Sequence, residues 1–414
     1  MPIPTRSLAS VLLAGCFLFG GGSSWAQEGG SRSKRAAPEV KTPAEPPSDL
    51  KTPTPDEITE IVDAGLTAIL GMEEGQARGE WPYQGVYRVR GKIPVGYRVG
   101  GTAICCLAMT HHPEFGEREE MREAVERGIK FIVRATKYEL MSYEDYEGGY
   151  DVRGWGYIYA VMLLADLERR GLVSEELRER VAEARGFYLR GIASIEIPET
   201  GGWNYARSAG RDSAGRASPF MTSSALQALF AARAAGFEVD AELVERGLGA
   251  LEGTLFESGE SIYAGVGEGK DGKGGWPGAT GRTASARTTL FLAGRSTEAE
   301  VRQVLDGFIE HWKWLEARRA KPGTHMKPYG VAPYYFFFAH HAAAQAVMCL
   351  PEEERASYRD RINALLLHVR NDEVATWNDR VFERSANYGT AMACLALMME
   401  RVGLPAAWEE DEGG

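Results

Sequence analysis

The chain has 414 residues, of which 44% are hydrophobic, and a net charge of −11 at neutral pH. This composition supports a folded core and argues against nucleic acid as a partner, because an acidic chain lacks the basic surface that phosphates attract. By length it could form two ordinary domains or one large repeat fold.

Residues 1–26 are typical of an export signal. An apolar run from Leu8 to Phe19 follows a single Arg, and "SWA" offers small residues for cleavage near Ala26. The segment "LAGC" offers an alternative, in which Cys16 is lipidated and the protein is a lipoprotein; only then is a membrane an expected partner. Both interpretations predict export to the periplasm or the extracellular space.

The two ends of the remaining chain are expected to lie outside the core. Residues 27–55 are rich in Pro and lack apolar periodicity, which predicts a disordered linker. Residues 403–414 are predicted to be an acidic, solvated tail.

Two kinds of helix alternate between residues 56 and 402. The first kind is amphipathic and contains "VDAGL" (62–66), "VERGI" (125–129) or "VERGL" (244–248). Its recurring glycine predicts close packing against a neighbour, since a glycine inside a helix costs about 1 kcal/mol relative to alanine. The second kind is Ala-rich and apolar on all sides, as in "GTAICCLAM" (101–109) and "GTAMACLALMM" (389–399), which predicts complete burial.

Six outer and six inner helices predict an all-α domain of six helical hairpins. The small residues of the inner helices favour closure into an α/α toroid, and an open α-solenoid is the alternative. The cysteines outside the signal lie in apolar helical runs without metal-ligand spacing, so neither a metal nor another cofactor is expected. Cys106 and Cys394 hold equivalent positions in the first and last inner helices, where we expect thiols rather than a disulfide.

The loops before the inner helices include "GGWNY" (201–205) and "GGW" (274–276). Alternating helices joined by such loops resemble the prenyltransferase and squalene-oxidase repeat superfamily, which includes squalene–hopene cyclases and the β subunits of protein prenyltransferases. The resemblance implies a toroid with a cavity at the end where these loops meet. It transfers no catalytic residue, because the D-x-D-D, D-x-C and D-D-x-x-D motifs of those enzymes are absent from the sequence.

The loop end carries the candidate site residues. For catalysis these are the carboxylates of Asp145, Asp151 and Asp379 and the imidazoles of His340 and His341, of which at most one His faces the cavity. We expect Asp379 and one of these histidines to be neighbours, because they belong to consecutive repeats. The candidate ligand-binding residues are Trp203, Tyr205, Trp276, Arg287, Tyr334, Trp377, Arg380 and Arg384. For the tryptophans, a wedge between hairpins is the alternative role.

Two functions fit this pattern. The first is an exported protein that binds a small-molecule, isoprenoid-like or glycan ligand in the loop-end cavity without cyclase or prenyltransferase chemistry. The alternative is an acid/base enzyme, a hydrolase, lyase or cyclase, that acts on a glycan or isoprenoid-like substrate. The sequence does not define an oligomeric state.

Overall fold

The structure is a computed structural model that describes residues 42–144, 149–207, 210–269, 275–321, 325, 329–330, 332 and 336–408. The unit Thr42–Gly414 contains the helices. Asp145 and Tyr334, two of the candidate site residues, lie outside the described residues.

The helices alternate between an outer and an inner layer, as the sequence predicts. The outer helices are α1 (Pro55–Gly71), α3 (Glu119–Ala135), α5 (Arg178–Ser194), α7 (Ala241–Glu252), α9 (Glu298–Glu316) and α11 (Glu352–His368). The inner helices are α2 (Val95–Thr110), α4 (Arg153–Arg169), α6 (Pro219–Ala234), α8 (Gly275–Leu292), α10 (Phe336–Met348) and α12 (Ala386–Leu397). A short helix, α13 (Met399–Val402), follows, and two-residue strands β1 (Gly149–Tyr150) and β2 (Ala206–Arg207) pair antiparallel between two loops.

The inner helices form a closed ring. Each packs against the next in chain order, and α12 packs back against α2. Each outer helix packs on the inner helix of the preceding hairpin, and α1 accordingly packs on α12. The seam of the ring, where the last hairpin meets the first, is also hydrogen-bonded, since Asn387 Nδ2 donates to the carbonyl of Pro82 at 3.0 Å. The fold is therefore an α/α toroid, and the open solenoid is excluded.

Three loop tryptophans explain the recurring glycines. Trp81, Trp203 and Trp377 are fully buried, and the ring of each lies against the outer-helix glycine of the following hairpin. The three glycines, in the same order, are Gly128, Gly247 and Gly65. In each case the indole Nε1 donates to a carbonyl at the end of the preceding outer helix, at 2.7–2.8 Å. The tryptophan is thus a wedge between hairpins, and glycine makes room for it.

The fourth hairpin departs from this pattern. Gly275 and Trp276 were expected in a loop before an inner helix, but they form the first turn of α8. Trp276 still covers the glycine of the next outer helix, Gly307. The loop position that a tryptophan holds in the first, third and sixth hairpins is taken by Ser261, whose N–H donates to Thr283 Oγ1 at 3.0 Å.

The ordered body is longer than the sequence predicts. Thr54, placed in the linker, caps α1 in a capping box with Glu57, and Leu50 packs against the core. Trp408, placed in the acidic tail, is buried on Phe230 with the Arg233 guanidinium 4.3 Å from its ring centre. The domain therefore includes residues on both sides of 56–402. Cys106 and Cys394 are buried free thiols, as expected.

Candidate functional site

An aromatic cavity of about 380 Å³ lies at the end of the ring where the inner helices begin. Each of the six hairpins supplies at least one described residue to its wall. The described residues that line it are Tyr83, Gly85, Val86, Tyr87, Tyr97, Val152, Trp155, Tyr205, Phe220, Met221, Tyr263, His325, Arg380 and Tyr388.

The rings of the wall pack on one another. Tyr83 lies 4.7 Å from Tyr388 and 5.2 Å from Tyr97, measured between ring centres, and Tyr97 lies 5.6 Å from Trp155. Such edge and tilted contacts fix ring orientation, because each partly negative ring face meets a partly positive edge. The wall is continuous because the first turns of the inner helices converge at the centre of the toroid. It is therefore a preformed surface for a ligand that offers flat or apolar faces.

Asp379 is fully buried immediately behind this wall. Its two carboxylate oxygens have no hydrogen-bond partner among the described residues, while its backbone carbonyl accepts from the N–H of Ala320 at 2.9 Å. Burial raises the pKa of the Asp379 carboxyl to about 8, although Arg380 and Arg319 oppose the shift. Its neighbour Arg380 lines the cavity. Burial raises the pKa of the wall residue Tyr388, and the charge of the nearby Asp379 raises it further. Near neutral pH, Asp379 is therefore a protonated acid beside the cavity.

Asp151 differs from Asp379, because both oxygens of its carboxylate have a partner. Oδ1 accepts from the backbone N–H of Arg153 at 2.8 Å, and Oδ2 lies 2.6 Å from the guanidinium of the same residue. Its own N–H donates to the carbonyl of Tyr205 at 2.8 Å. This network fixes the start of α4 beside the wall residue Val152 and holds Asp151 as an ion-paired carboxylate.

His340 has a structural role, which corrects its assignment as a catalytic candidate. Its Nε2 accepts from the indole of Trp312 at 2.8 Å, so its Nδ1 carries the proton and donates to the carbonyl of Phe336 at 2.7 Å. Burial lowers the pKa of this imidazole to about 4. With both nitrogens engaged, it is neutral and offers no proton or lone pair to a ligand.

His341 lines a second cavity, of about 200 Å³, between the C-terminal halves of the inner helices and residues 402–406. Burial lowers its pKa to about 4. Two aromatic contacts separate this cavity from the first, Trp155 with Tyr159 at 4.9 Å and Phe220 with Phe338 at 4.5 Å. The expected pairing of Asp379 with a histidine is therefore wrong: one histidine is satisfied in the core and the other lies beyond an aromatic partition.

The described candidate ligand-binding residues divide into three groups. Tyr205 and Arg380 line the aromatic cavity. Trp203, Trp276 and Trp377 act as wedges. Arg287 pairs with Glu300 at 2.7 Å, and Arg384 pairs with Glu74 at 3.0 Å, so neither is directed into the cavity.

Several wall residues are not among the candidate site residues. Phe220 and Tyr388 stand two positions before Thr222 and Thr390, whose hydroxyls accept from the N–H of the wedge tryptophans at 3.0 Å. An aromatic residue at that offset, once the buried threonine is aligned between repeats, would have identified these two wall residues. Within the described residues, His, Cys, Asp and Glu side chains form no group of three that could hold a metal. No helix in the described part of the chain has the length and apolar character to cross a membrane.

Solved structures of the same architecture match the chain over most of its length. An unsaturated glucuronyl hydrolase from Streptococcus agalactiae has a TM-score of 0.54 at 11% identity and covers 87% of this chain and 97% of its own. An α-1,6-mannanase, GH76A, from Salegentibacter sp. has a TM-score of 0.51 at 14% identity, with 82% and 98% covered.

A type II terpene cyclase from Scytonema has a TM-score of 0.50 at 13% identity, with 84% and 98% covered. At these identities the likeness shows the α/α toroid alone, a fold that a terpene cyclase and glycan hydrolases share. No protein-family model matches the chain, and no curated protein matches it in sequence.

Proposed function

We propose that the protein is an acid/base enzyme that binds a sugar unit of a glycan in the aromatic cavity and uses Asp379 as its proton donor. The observation that carries this proposal is the fully buried Asp379 carboxyl, without a hydrogen-bond partner among the described residues, directly behind the cavity wall. An exposed or ion-paired carboxylate would not retain a proton at neutral pH, whereas a desolvated one does. Export, which residues 1–26 predict, is part of this proposal.

The wall chemistry supports a sugar as ligand. Aromatic faces such as that of Trp155 stack on the C–H faces of a pyranose, while tyrosine hydroxyls and the Arg380 guanidinium offer hydrogen bonds to its oxygens. Two of the structurally similar proteins, the mannanase and the glucuronyl hydrolase, carry glycan activities in their names. The terpene cyclase keeps an isoprenoid-like substrate as the competing possibility.

Proton donation to a leaving oxygen is the step that a hydrolase and a lyase have in common. Asp379 suits that step because burial keeps its proton near neutral pH. Asp151 is less suited to act as the partnering base, since Arg153 holds both of its oxygens.

Ligand binding without catalysis is the second candidate. It is favoured by one observation: the described residues that line the cavity include neither Asp nor Glu. In that case Asp379 would tune the cavity without transferring a proton, and a bound ligand would remain unchanged.

The test is turnover of a panel of neutral and uronate-containing oligosaccharides, with a polyprenyl alcohol included, by wild type and Asp379→Asn. We expect glycan turnover that the Asn variant reduces by about 100-fold or more, the usual effect of losing a general acid. Wild-type kcat/KM should fall as the pH rises through about 8, because the donor then loses its proton.

Asp212→Asn is the control, since its side chain is 92% exposed and the substitution removes the same carboxylate chemistry away from the cavity. It should retain wild-type turnover. Glycan binding with no turnover by the wild type would favour a binding protein over an enzyme. Turnover of the polyprenyl alcohol alone would show that the substrate is isoprenoid-like and not a glycan.

A further inference from the structure

A groove of about 740 Å³ runs beside the aromatic cavity on the same end of the toroid. The two share a wall, because Gly85 and Tyr87 face the cavity while Gln84 and Arg88 face the groove. A chain lying in the groove would therefore reach the cavity mouth by crossing a single loop.

The loop that separates the groove from the aromatic cavity is held in shape by hydrogen bonds within the loop. Val89 and Lys92 exchange backbone hydrogen bonds of 3.0 and 2.9 Å around a two-residue turn, Arg90–Gly91, whose φ angles are 50° and 77°. Positive φ at both positions is the geometry of a type I′ turn, which pairs the flanking residues. Arg88 donates to the carbonyls of Gly85 and Tyr87, at 2.6 and 2.8 Å, so its stem is held between groove and cavity.

The groove carries an excess of positive charge. Glu80 is buried and bound at both oxygens by Arg98, at 2.8 and 2.9 Å, and Glu74 is paired with Arg384 at 3.0 Å. These pairs use both of the described acidic residues that line the groove.

Three cations remain in the groove without a carboxylate partner among the described residues. They are Arg88, Lys92 and Arg134. Arg88 donates to carbonyls, and Arg134 donates to the hydroxyl of Tyr138 at 3.2 Å. In a chain of net charge −11, three such cations in one groove form a site that attracts anions locally.

We propose that this groove binds the anionic units of an extended acidic glycan, whose next sugar unit enters the aromatic cavity. The half-buried ring of Tyr138, beside Arg134, gives a sugar a face to stack on between the cations. The inference rests on the proposed glycan activity and adds to it the charge of the substrate and the place where its chain lies. The anionic groups can be carboxylates or sulfates, since a guanidinium binds both in a bidentate way.

The experiment compares binding of hexagalacturonate, its fully methyl-esterified neutral form and a chondroitin sulfate hexasaccharide to the whole protein by calorimetry. We expect the acidic hexamer to bind about tenfold or more tightly than its ester, with the difference shrinking between about 50 and about 500 mM NaCl as the charges are screened. Chondroitin sulfate carries glucuronate carboxylates as well as sulfates, so tighter binding of it than of hexagalacturonate would show that sulfate adds to the affinity. Equal affinity for the hexamer and its ester would overturn the proposal.

The variant pair Lys92→Gln/Arg134→Gln removes two of the cations and leaves the Arg88 contacts that shape the loop intact. It should lose most of the preference for the acidic hexamer while affinity for the ester stays the same. The matched control is Arg122→Gln/Arg180→Gln, which removes two exposed charges from outer helices and should leave the preference unchanged. A preference that survives in the groove variant, or equally tight binding of polyphosphate or of anionic lipid vesicles, would overturn the glycan groove.

The two proposals fail in different ways. If the groove is wrong, turnover and its dependence on Asp379 persist while the groove variant binds like wild type. If Asp379 is not the proton donor, turnover is unaffected in Asp379→Asn and the charge preference persists.

Discussion

Asp379 links the candidate chemistry to the stability of the protein through a single proton. Its pKa is about 8 in the folded chain, where it is buried, and 3.8 for an unperturbed carboxyl. Between these two values the folded state holds one more proton than the unfolded state. The free energy of unfolding therefore falls as the pH rises through this window, by about 1.4 kcal/mol per pH unit for a full proton.

Asp379→Asn should remove this dependence, because an amide stays neutral at every pH. We expect the variant to match wild type near pH 4 and to become progressively more stable than wild type up to pH 8. Chemical denaturation at several pH values measures the difference, which isolates this residue from other titrating groups. A difference that is flat with pH would mean that Asp379 is ionised in the folded protein.

The sequence led to Asp379 and misled about its partner for a physical reason. A carboxylate between Trp377 and Arg380, in the loop that joins the two helices of the last hairpin, indicates a site, and the structure places it behind a cavity. Its burial depends on residues from other hairpins, such as Ala320. The local sequence around Asp379 does not indicate these contacts. His340 is equivalent to Thr222 and Thr390 in the inner helices, so repeat alignment would have indicated a packing role.

The outer helices show how a residue that is poor for a helix can be required by the fold. Gly247 and Gly249 lie two residues apart in α7, one facing the ring and the other facing solvent. A Cβ at Gly247 would lie 2.9 Å from the Trp203 ring and 3.0 Å from Leu226, whereas a Cβ at Gly249 meets nothing within 4 Å. Intrinsic propensity is the same at both positions, and only packing distinguishes them.

Gly247→Ala and Gly249→Ala should therefore change stability in opposite directions. At Gly249 the helix gains up to about 1 kcal/mol from the better helix former. At Gly247 overpacking costs about 1–3 kcal/mol, which exceeds that gain. Urea denaturation of the two variants gives both values, and equal stabilisation would show that the wedge yields without cost.

The alternation of helices and the closed ring are the parts of the fold that the sequence predicts well. Apolar character on all sides and a recurring glycine are local properties of the sequence. They therefore indicate, for each helix separately, whether it belongs to the inner or the outer layer. The fourth hairpin shows the limit, because Trp276 joins α8 and Ser261 takes the loop position, a replacement that the shared "GGW" conceals. The packing of Trp408 was missed because its partners, Phe230 and Arg233, are distant in sequence.

Closure is a property of the whole molecule and determines how it unfolds. In an open solenoid the terminal repeats have one neighbour and open first, whereas in a closed ring every repeat has two. The seam between the last and first hairpins is held by α12 packing on α1 and α2 and by hydrogen bonds from Ser385 to Gln84 and from Asn387 to Pro82. The ring should thus have no weak terminal repeat.

Amide hydrogen exchange tests closure directly. We expect α1 and α12 to exchange as slowly as α6, on the opposite side of the ring, and Asn387→Ala to speed exchange in α1, α2 and α12 together. The reason is that the variant leaves the buried carbonyl of Pro82 without its donor, a loss of about 1–3 kcal/mol.

Asn204→Ala is the matched control, because its amide also donates to a backbone carbonyl, that of Arg216 at 2.8 Å, but within one hairpin. It should speed exchange around α6 and leave the seam protected. If α1 and α12 exchanged first in the wild type, and Asn387→Ala changed only α12, the chain in solution would behave as an open solenoid. The shared loop end, and with it a cavity walled by all six hairpins, depends on the opposite result.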